Sequence, residues 1–404
     1  MKRLLIFLFP LFSFSFAEGQ EDIVGFQPEI QPYIEFIKKQ NQSPLNYVLD
    51  KFDSNDVVVF GERDHRDITQ YYFIEDLINQ PEFYEKVGVI YTEAGSSNFN
   101  DTLNSILQNY NLNDKELEKQ LLEVYRDISY QAFWANYNFF YLWKTVFQFN
   151  KTHPDFALRI EMLSPPFNWN EIRDTTSCRL KTEEVEKNYD SFMANYFLQR
   201  FSSRQELVRN KALVIMNYPH SLKKWTSKAN ITYEKFFGAF INRQLPGKVC
   251  AIIVNPYTIN FQPVADGKWD AAFKFHNYPK IGFDFINSPF GKDTFDVWPV
   301  EKGILSYQDL YDGMIFINPT NSVENVIGIP GFIDKNFADE YLRRIKLRML
   351  IYTKKEYKTS KISERIYCNN KRSFSVYEDV KQMWGKNPDR DFDKQINQWL
   401  IFKE

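Results

Sequence analysis

Six short runs of β-branched and other apolar residues, at 57–60, 87–92, 156–163, 212–217, 249–254 and 313–317, are separated by longer stretches with helical spacing. This alternation constrains the fold more than any other feature. Near-continuous apolar runs suit strands covered on both faces, and parallel strands need crossovers, which helices supply. The helical stretches fall roughly at 68–79, 114–150 in two or more pieces, 182–209 and 233–243. The expected fold is therefore α/β, with a mostly parallel central sheet flanked by helices. No internal period repeats, and no low-complexity segment interrupts the pattern.

Residues 1–17 read as an export signal. Lys2 and Arg3 precede an apolar run, and Ser15-Phe16-Ala17 offers small residues before a cut. That run is short for a membrane span, and no later stretch reaches about 18 uninterrupted apolar residues. The expected location after cleavage is periplasmic or extracellular. An α/β domain is expected over 18–320, with a mainly helical C-terminal extension over 321–404 packed on it. Within the domain, 255–298 is rich in Pro, Gly, Asn and aromatics and reads as strands and loops at the sheet's end, a candidate lid.

The amphipathic stretch 337–352 begins a basic cluster of Arg343, Arg344, Lys346, Arg348, Lys354, Lys355, Lys358 and Lys361. It is expected to be a solvated helix face, with Leu342, Ile345 and Met349 turned inward. Over the whole chain, 50 Lys and Arg oppose 52 Asp and Glu. Such a balance gives no reason to expect a nucleic-acid partner, which usually demands a basic excess. Cys178, Cys250 and Cys368 form no CxxC or Cys/His cluster, so no zinc or redox motif is supported.

The chemistry-bearing residues gather where predicted strands end. The run at 57–60 leads into Gly61-Glu62-Arg63-Asp64-His65-Arg66-Asp67. In a parallel sheet that is the carboxyl edge, where ligand crevices form. Gly61 is expected to let the chain turn, and Glu62 and His65 share a face if a helix has begun. The bland alternative is that Asp64 or Asp67 caps that helix while Glu62 and His65 pair on the surface. A second strand ends in Glu93, and a third in Asn217-Tyr218-Pro219-His220. Glu161 is a weaker candidate for the same cleft, with an outward-facing position equally expected. His153 and His276 lack this setting.

Gly61-Glu62-x-x-His65, Glu93 and the post-strand His220 together resemble the erythromycin-esterase-like superfamily, which includes haem-binding ChaN-like proteins and, more remotely, Tiki-type metalloproteases. The resemblance covers roughly residues 56–319. It implies that His65 activates water, while Glu62, Glu93 and His220 line the site. Arg66 stands where a glycine commonly follows the motif histidine.

A neutral imidazole with a reference pKa near 6.5 suits general-base work at neutral pH. His220 or Arg66 would then stabilise an oxyanion, and Arg66 would bind an anionic substrate group. No Gly-x-Ser-x-Gly elbow is evident, so direct attack by water is preferred to a serine acyl-enzyme. If Glu62, His65, Glu93 and His220 converge within ligand reach, they would instead hold a divalent metal. The leading expectation is an exported hydrolase acting on an ester, amide or related bond of a small molecule or peptide. The alternative is a non-enzymatic haem- or metal-binding protein using the same crevice.

Overall fold

The computed structural model describes residues 22–131, 136–225, 236–257, 263–300, 303–354, 369–375 and 392–403. Its strands, in chain order, are β1 (Ile23–Phe26), β2 (Val57–Glu62), β3 (Val87–Ser96), β4 (Arg159–Ser164), β5 (Lys211–Asn217), β6 (Val249–Val254), β7 (Ile281–Asp284), β8 (Gly313–Phe316), β9 (Glu324–Ile327), β10 (Arg372–Ser375) and β11 (Leu400–Phe402). Seven of them form one sheet in the order β4-β3-β5-β2-β6-β8-β7. All its pairings are parallel except β7 with β8. All six predicted strands lie in this sheet. The seventh, β7, is an antiparallel edge strand.

Side-chain alternation along the strands divides the core in two. Val58 and Phe60 of β2, Ile90 of β3 and Leu213 and Ile215 of β5 belong to one apolar cluster. Val57, Val59, Val89, Tyr91, Val214 and Met216 belong to the other. A period of two with both parities apolar requires cover on both faces, as the continuous sequence runs implied.

Among the described residues, fifteen α-helices, labelled in chain order, include the layers that provide this cover. On the first face lie α2 (Pro44–Ser54), α3 (Ile68–Ile78), α5 (Asn100–Leu107) and α7 (Tyr137–Thr152), contributing Phe52, Ile74, Leu103 and Trp143. On the second lie α1 (Gln31–Lys38), α9 (Tyr189–Ser202), α10 (Phe237–Gln244) and α11 (Lys268–Phe275), contributing Ile34, Phe197, Ile241 and Phe273. The others are α4 (Pro81–Tyr84), α6 (Asp114–Tyr125), α8 (Thr175–Lys187), α12 (Pro289–Lys292), α13 (Tyr307–Leu310), α14 (Ala338–Thr353) and α15 (Phe392–Asn397). None of the described helices is long and apolar enough to cross a membrane.

Two expectations change. Residues 255–298, where described, are not a lid over a cleft. Their described part holds α11 and β7, and its aromatic rings fill the second core, where Phe273 stacks on Phe316 at 3.8 Å and Trp269 meets Tyr307 at 4.4 Å. In the described part of 321–404 the helices α14 and α15 are accompanied by short strand pairs, β9 with β10 and β11 with β1. In α14, Arg344 and Arg348 are buried beside Tyr341 and Ile345 instead of facing solvent. Arg344 is neutralised by Asp127 and Glu340, each at 2.6 Å, and lies 4.9 Å over the rings of Trp169 and Phe337. Aromatic faces and carboxylates together let a guanidinium enter a core that an ordinary cation would avoid. Lys355, Lys358 and Lys361, residues 1–17 with their expected export signal, and Cys368 lie outside the described residues. Cys178 and Cys250 are free and buried.

Candidate active site

Three polar side chains, His65, Glu93 and His220, reach one cavity, with Glu62 buried behind His65, because neighbouring parallel strands end at the same edge. Glu62 closes β2, and Glu93 lies near the end of β3, with β5 between those strands. Beyond β5, His220 follows a turn in which its N–H is accepted by the Asn217 carbonyl at 3.0 Å. After Glu62 the chain turns through 63–67 into α3, where Asp67 caps the helix by accepting from Thr69 N–H at 2.9 Å. His65 sits in this turn. Gly61 remains inside β2 rather than making the turn. A Cβ there would stand 2.7 Å from Ser221 Oγ, so glycine is required by close approach.

The ionisable groups form a chain. Glu62 Oε2 stands 2.9 Å from His65 Nδ1, and Glu62 Oε1 accepts from Tyr71 Oη at 2.6 Å. His65 Nε2 is 3.9 Å from Glu93 Oε1. That same oxygen is 3.3 Å from His220 Nε2, while His220 Nδ1 lies 2.8 Å from Asp190 Oδ1. Each imidazole thus has a carboxylate at Nδ1 and turns Nε2 toward Glu93. The other Glu93 oxygen accepts from Asn217 N–H at 2.8 Å, and Asp190 Oδ1 also accepts from Phe237 N–H at 2.8 Å.

This geometry sets the charges. Burial alone would disfavour the imidazolium of His65, but the carboxylates of Glu62, Glu93 and Asp64 outweigh it and push the pKa up to about 8. In His220, burial is likewise overcome, here by Glu93 and Asp190, and the pKa is pushed up to about 9. Burial also drives the Glu62 carboxyl upward, against the opposing pull of His65 and Tyr71. Both histidines are therefore mainly protonated at neutral pH, which differs from the neutral His65 that its reference value suggested.

The cavity has a volume of about 370 Å³ and includes His65, Glu93, Asp190 and His220 in its wall. Gly95, Ser129, Tyr130, Gln131, Ser164 and Glu186 complete much of the lining. The size suits a small substrate or one terminal group of a larger one. Ser164 Oγ donates to the Glu93 carbonyl at 2.5 Å and contacts Tyr189 Oη at 2.7 Å, fixing the cavity floor at the end of β4.

Glu62, His65, Glu93 and His220 are brought together as expected, but Arg66 is not. Its guanidinium forms two contacts with Asp64, at 3.0 and 2.8 Å, lies 5.9 Å over the Phe374 ring, and does not line the cavity. Glu161 is also directed elsewhere, to Arg200 at 2.9 Å and Asn100 at 3.0 Å. His153 stacks on Phe149, and His276 Nε2 meets the Ile34 carbonyl. Sequence reasoning missed Asp190 because an acid on a helix looks like an ordinary solvated residue. Ser164 carried a usable signal, a polar residue closing a predicted strand.

The donors fit neither alternative cofactor as they stand. The two Nε2 atoms approach a shared Glu93 oxygen at pairing distances, and among the described residues no group of three or more His, Cys, Asp or Glu is arranged to hold a metal ion. For haem, both imidazoles are engaged by carboxylates at Nδ1 and face Glu93 through Nε2, leaving neither free to ligate iron.

No protein-family model matches the sequence, and no curated protein matches it. Among solved structures, the chain is similar to a succinoglycan biosynthesis protein, with 10% identity, coverage of 72% of this chain and 98% of that one, and a TM-score of 0.49. It is also similar to a mutant of the erythromycin esterase EreC in its open conformation, with 9% identity, coverage of 72% and 96%, and a TM-score of 0.45. For the haem-binding ChaN of Campylobacter jejuni the identity is 14%, the coverage 51% and 84%, and the TM-score 0.31.

Proposed function

We propose that this protein is a hydrolase that uses water against an ester, amide or related bond of a small-molecule or peptide substrate. The observation that carries this reading is the pair of carboxylate-held imidazoles whose Nε2 atoms meet at Glu93 on the cavity wall. With Nδ1–H held by Glu62, deprotonated His65 presents the lone pair of Nε2 to the cavity. The 3.9 Å separation from Glu93 exceeds a hydrogen bond and suits a water that gives one hydrogen to Nε2 and the other to Oε1.

Attack forms a bond from water oxygen to the carbonyl carbon as His65 Nε2 takes the proton. The resulting oxyanion is stabilised by the Nε2–H of protonated His220. Collapse breaks the bond to the leaving group, which receives the proton from His65. The carboxylates of Glu93 and Asp190 favour the charged form of His220, as this role requires. Glu93 balances both charges, and Asp190 positions His220.

A panel of chromogenic esters and amides, assayed with wild type, His65→Ala and His65→Gln, tests the reading. The expected loss is about 10²- to 10⁴-fold in turnover, the usual contribution of a general base. Turnover of equal magnitude in all three proteins would eliminate His65 as the base. The Lys2-to-Ala17 pattern further supports export, and N-terminal sequencing of the mature protein checks it: a mature chain still beginning at Met1 would rule out cleavage.

A further inference from the structure

A larger hollow, of about 890 Å³, lies beyond the carboxyl end of β8 and shares no lining residue with the catalytic cavity. Asp270, in the first turn of α11, lines it and is only 6% exposed. The one side-chain hydrogen bond to its carboxylate is a long one, 3.4 Å, from Thr320 Oγ1 to Oδ1, and its own backbone N–H adds a second stabilising contact. These few donors offset only part of the cost of burying a carboxylate.

The surroundings specify what would satisfy it. Among the described lining residues Lys274 is the one cation, and its ammonium donates to Asn397 Oδ1 at 2.9 Å while lying 5.4 Å over the Phe402 ring. Asp22 and Asp393 add two further acids to the lining. Apolar walls come from the rings of Phe275, Tyr278 and Phe392, whose faces attract cations as well as hydrocarbon. Burial pushes the Asp270 carboxyl up to about 7, with Thr320 and the more remote Arg63 opposing that rise only in part.

We propose that this hollow is a second ligand site, which binds a small organic cation through an ammonium group received by Asp270 and an apolar body held among the three rings. An ammonium supplies both the missing hydrogen-bond donors and the missing charge. A neutral alcohol of the same shape supplies only a donor.

Calorimetric titration of the full chain at pH 8 with benzylammonium chloride and, separately, benzyl alcohol tests the assignment. The ammonium compound is expected to bind at least tenfold more tightly, and Asp270→Asn to erase that preference. Glu186→Gln, which changes an acid of the catalytic cavity, is expected to leave amine binding unchanged. Equal affinity for the two probes, no binding of either, a preference that survives Asp270→Asn, or a preference lost in Glu186→Gln would each overturn the proposal. Should Asp270→Asn fail to fold, Tyr278→Leu supplies the second test, with an expected loss of threefold or more in amine affinity. An unchanged affinity in that variant would also overturn it.

Discussion

Asp190 and His220 are 30 residues apart in sequence, yet Asp190 Oδ1 stands 2.8 Å from His220 Nδ1 and simultaneously accepts the N–H of Phe237. The acid is thereby held from two sides, and it directs Nε2 of the histidine at Glu93. Replacing it with asparagine retains the shape while removing the charge that favours the imidazolium. Asp190→Asn should lower turnover by about 10²-fold and move the alkaline fall in activity to lower pH. Rate measurements from pH 6 to 10 read both effects, and an unmoved alkaline limb would show that Asp190 does not set the state of His220.

Wild-type activity should peak at alkaline pH. The rate is expected to rise as His65 loses its proton near pH 8 and to fall as His220 loses its own near pH 9. Because both histidines face Glu93, the two limbs belong to the coupled pair. A rate already maximal at pH 6 would contradict the assignment of His65 as base.

Asp270 makes a stability prediction independent of ligand. Its pKa is raised in the folded protein from 3.8 to about 7, so between these values the native state holds a proton that the unfolded chain has lost. Its contribution to stability is most favourable below pH 3.8 and declines as pH rises to 7. Asp270→Asn should therefore be more stable than wild type at pH 8, by about 1–3 kcal/mol, with the difference shrinking on acidification. Urea denaturation at pH 5 and pH 8 measures it.

Arg63 and Asp67 form a fully buried ion pair at 2.6 Å within the 63–67 turn. Arg63 also donates to the Asn255 carbonyl at 3.3 Å and to Asn318 Oδ1 at 2.5 Å, joining the ends of β2, β6 and β8. Arg63→Met leaves the Asp67 charge stranded and should cost about 3–5 kcal/mol. In the double variant Arg63→Met with Asp67→Leu, the loss should be smaller than the sum of the two single losses, as a double-mutant cycle in denaturant would show.

Gly95 has φ +108°, and a Cβ there would stand 2.2 Å from Met162 Sδ. Gly95→Ala should destabilise the protein by about 2 kcal/mol or more and impair turnover, because Gly95 lies in the cavity wall. Melting temperature and turnover, measured together, check this; a variant as stable as wild type would show that the wall can yield.

The central strands were legible because both faces of each are buried, which writes a continuous apolar run into the chain. Such a signal is missing from β7: Ile281–Asp284 is short, lies at the edge, ends in an exposed acid and follows Pro279. The brief pairs β1 with β11 and β9 with β10 leave no long pattern either. Glu62, His65, Glu93 and His220 could be assembled from sequence because each is at or just beyond a strand's carboxyl end. Arg66 occupies a similar place and Glu161 lies inside β4, but the nearby countercharges of Asp64 and Arg200 claim them. Which neighbour captures a charged side chain depends on tertiary contacts that spacing does not encode.

Glu93 owes its orientation to a main-chain donor, the N–H of Asn217 on the adjacent strand. Among the twenty standard residues only proline at that position would delete the anchor. An alanine scan of the site would therefore leave this anchor in place, and the hold on Glu93 would escape detection. A backbone amide-to-ester exchange at residue 217 would reveal it.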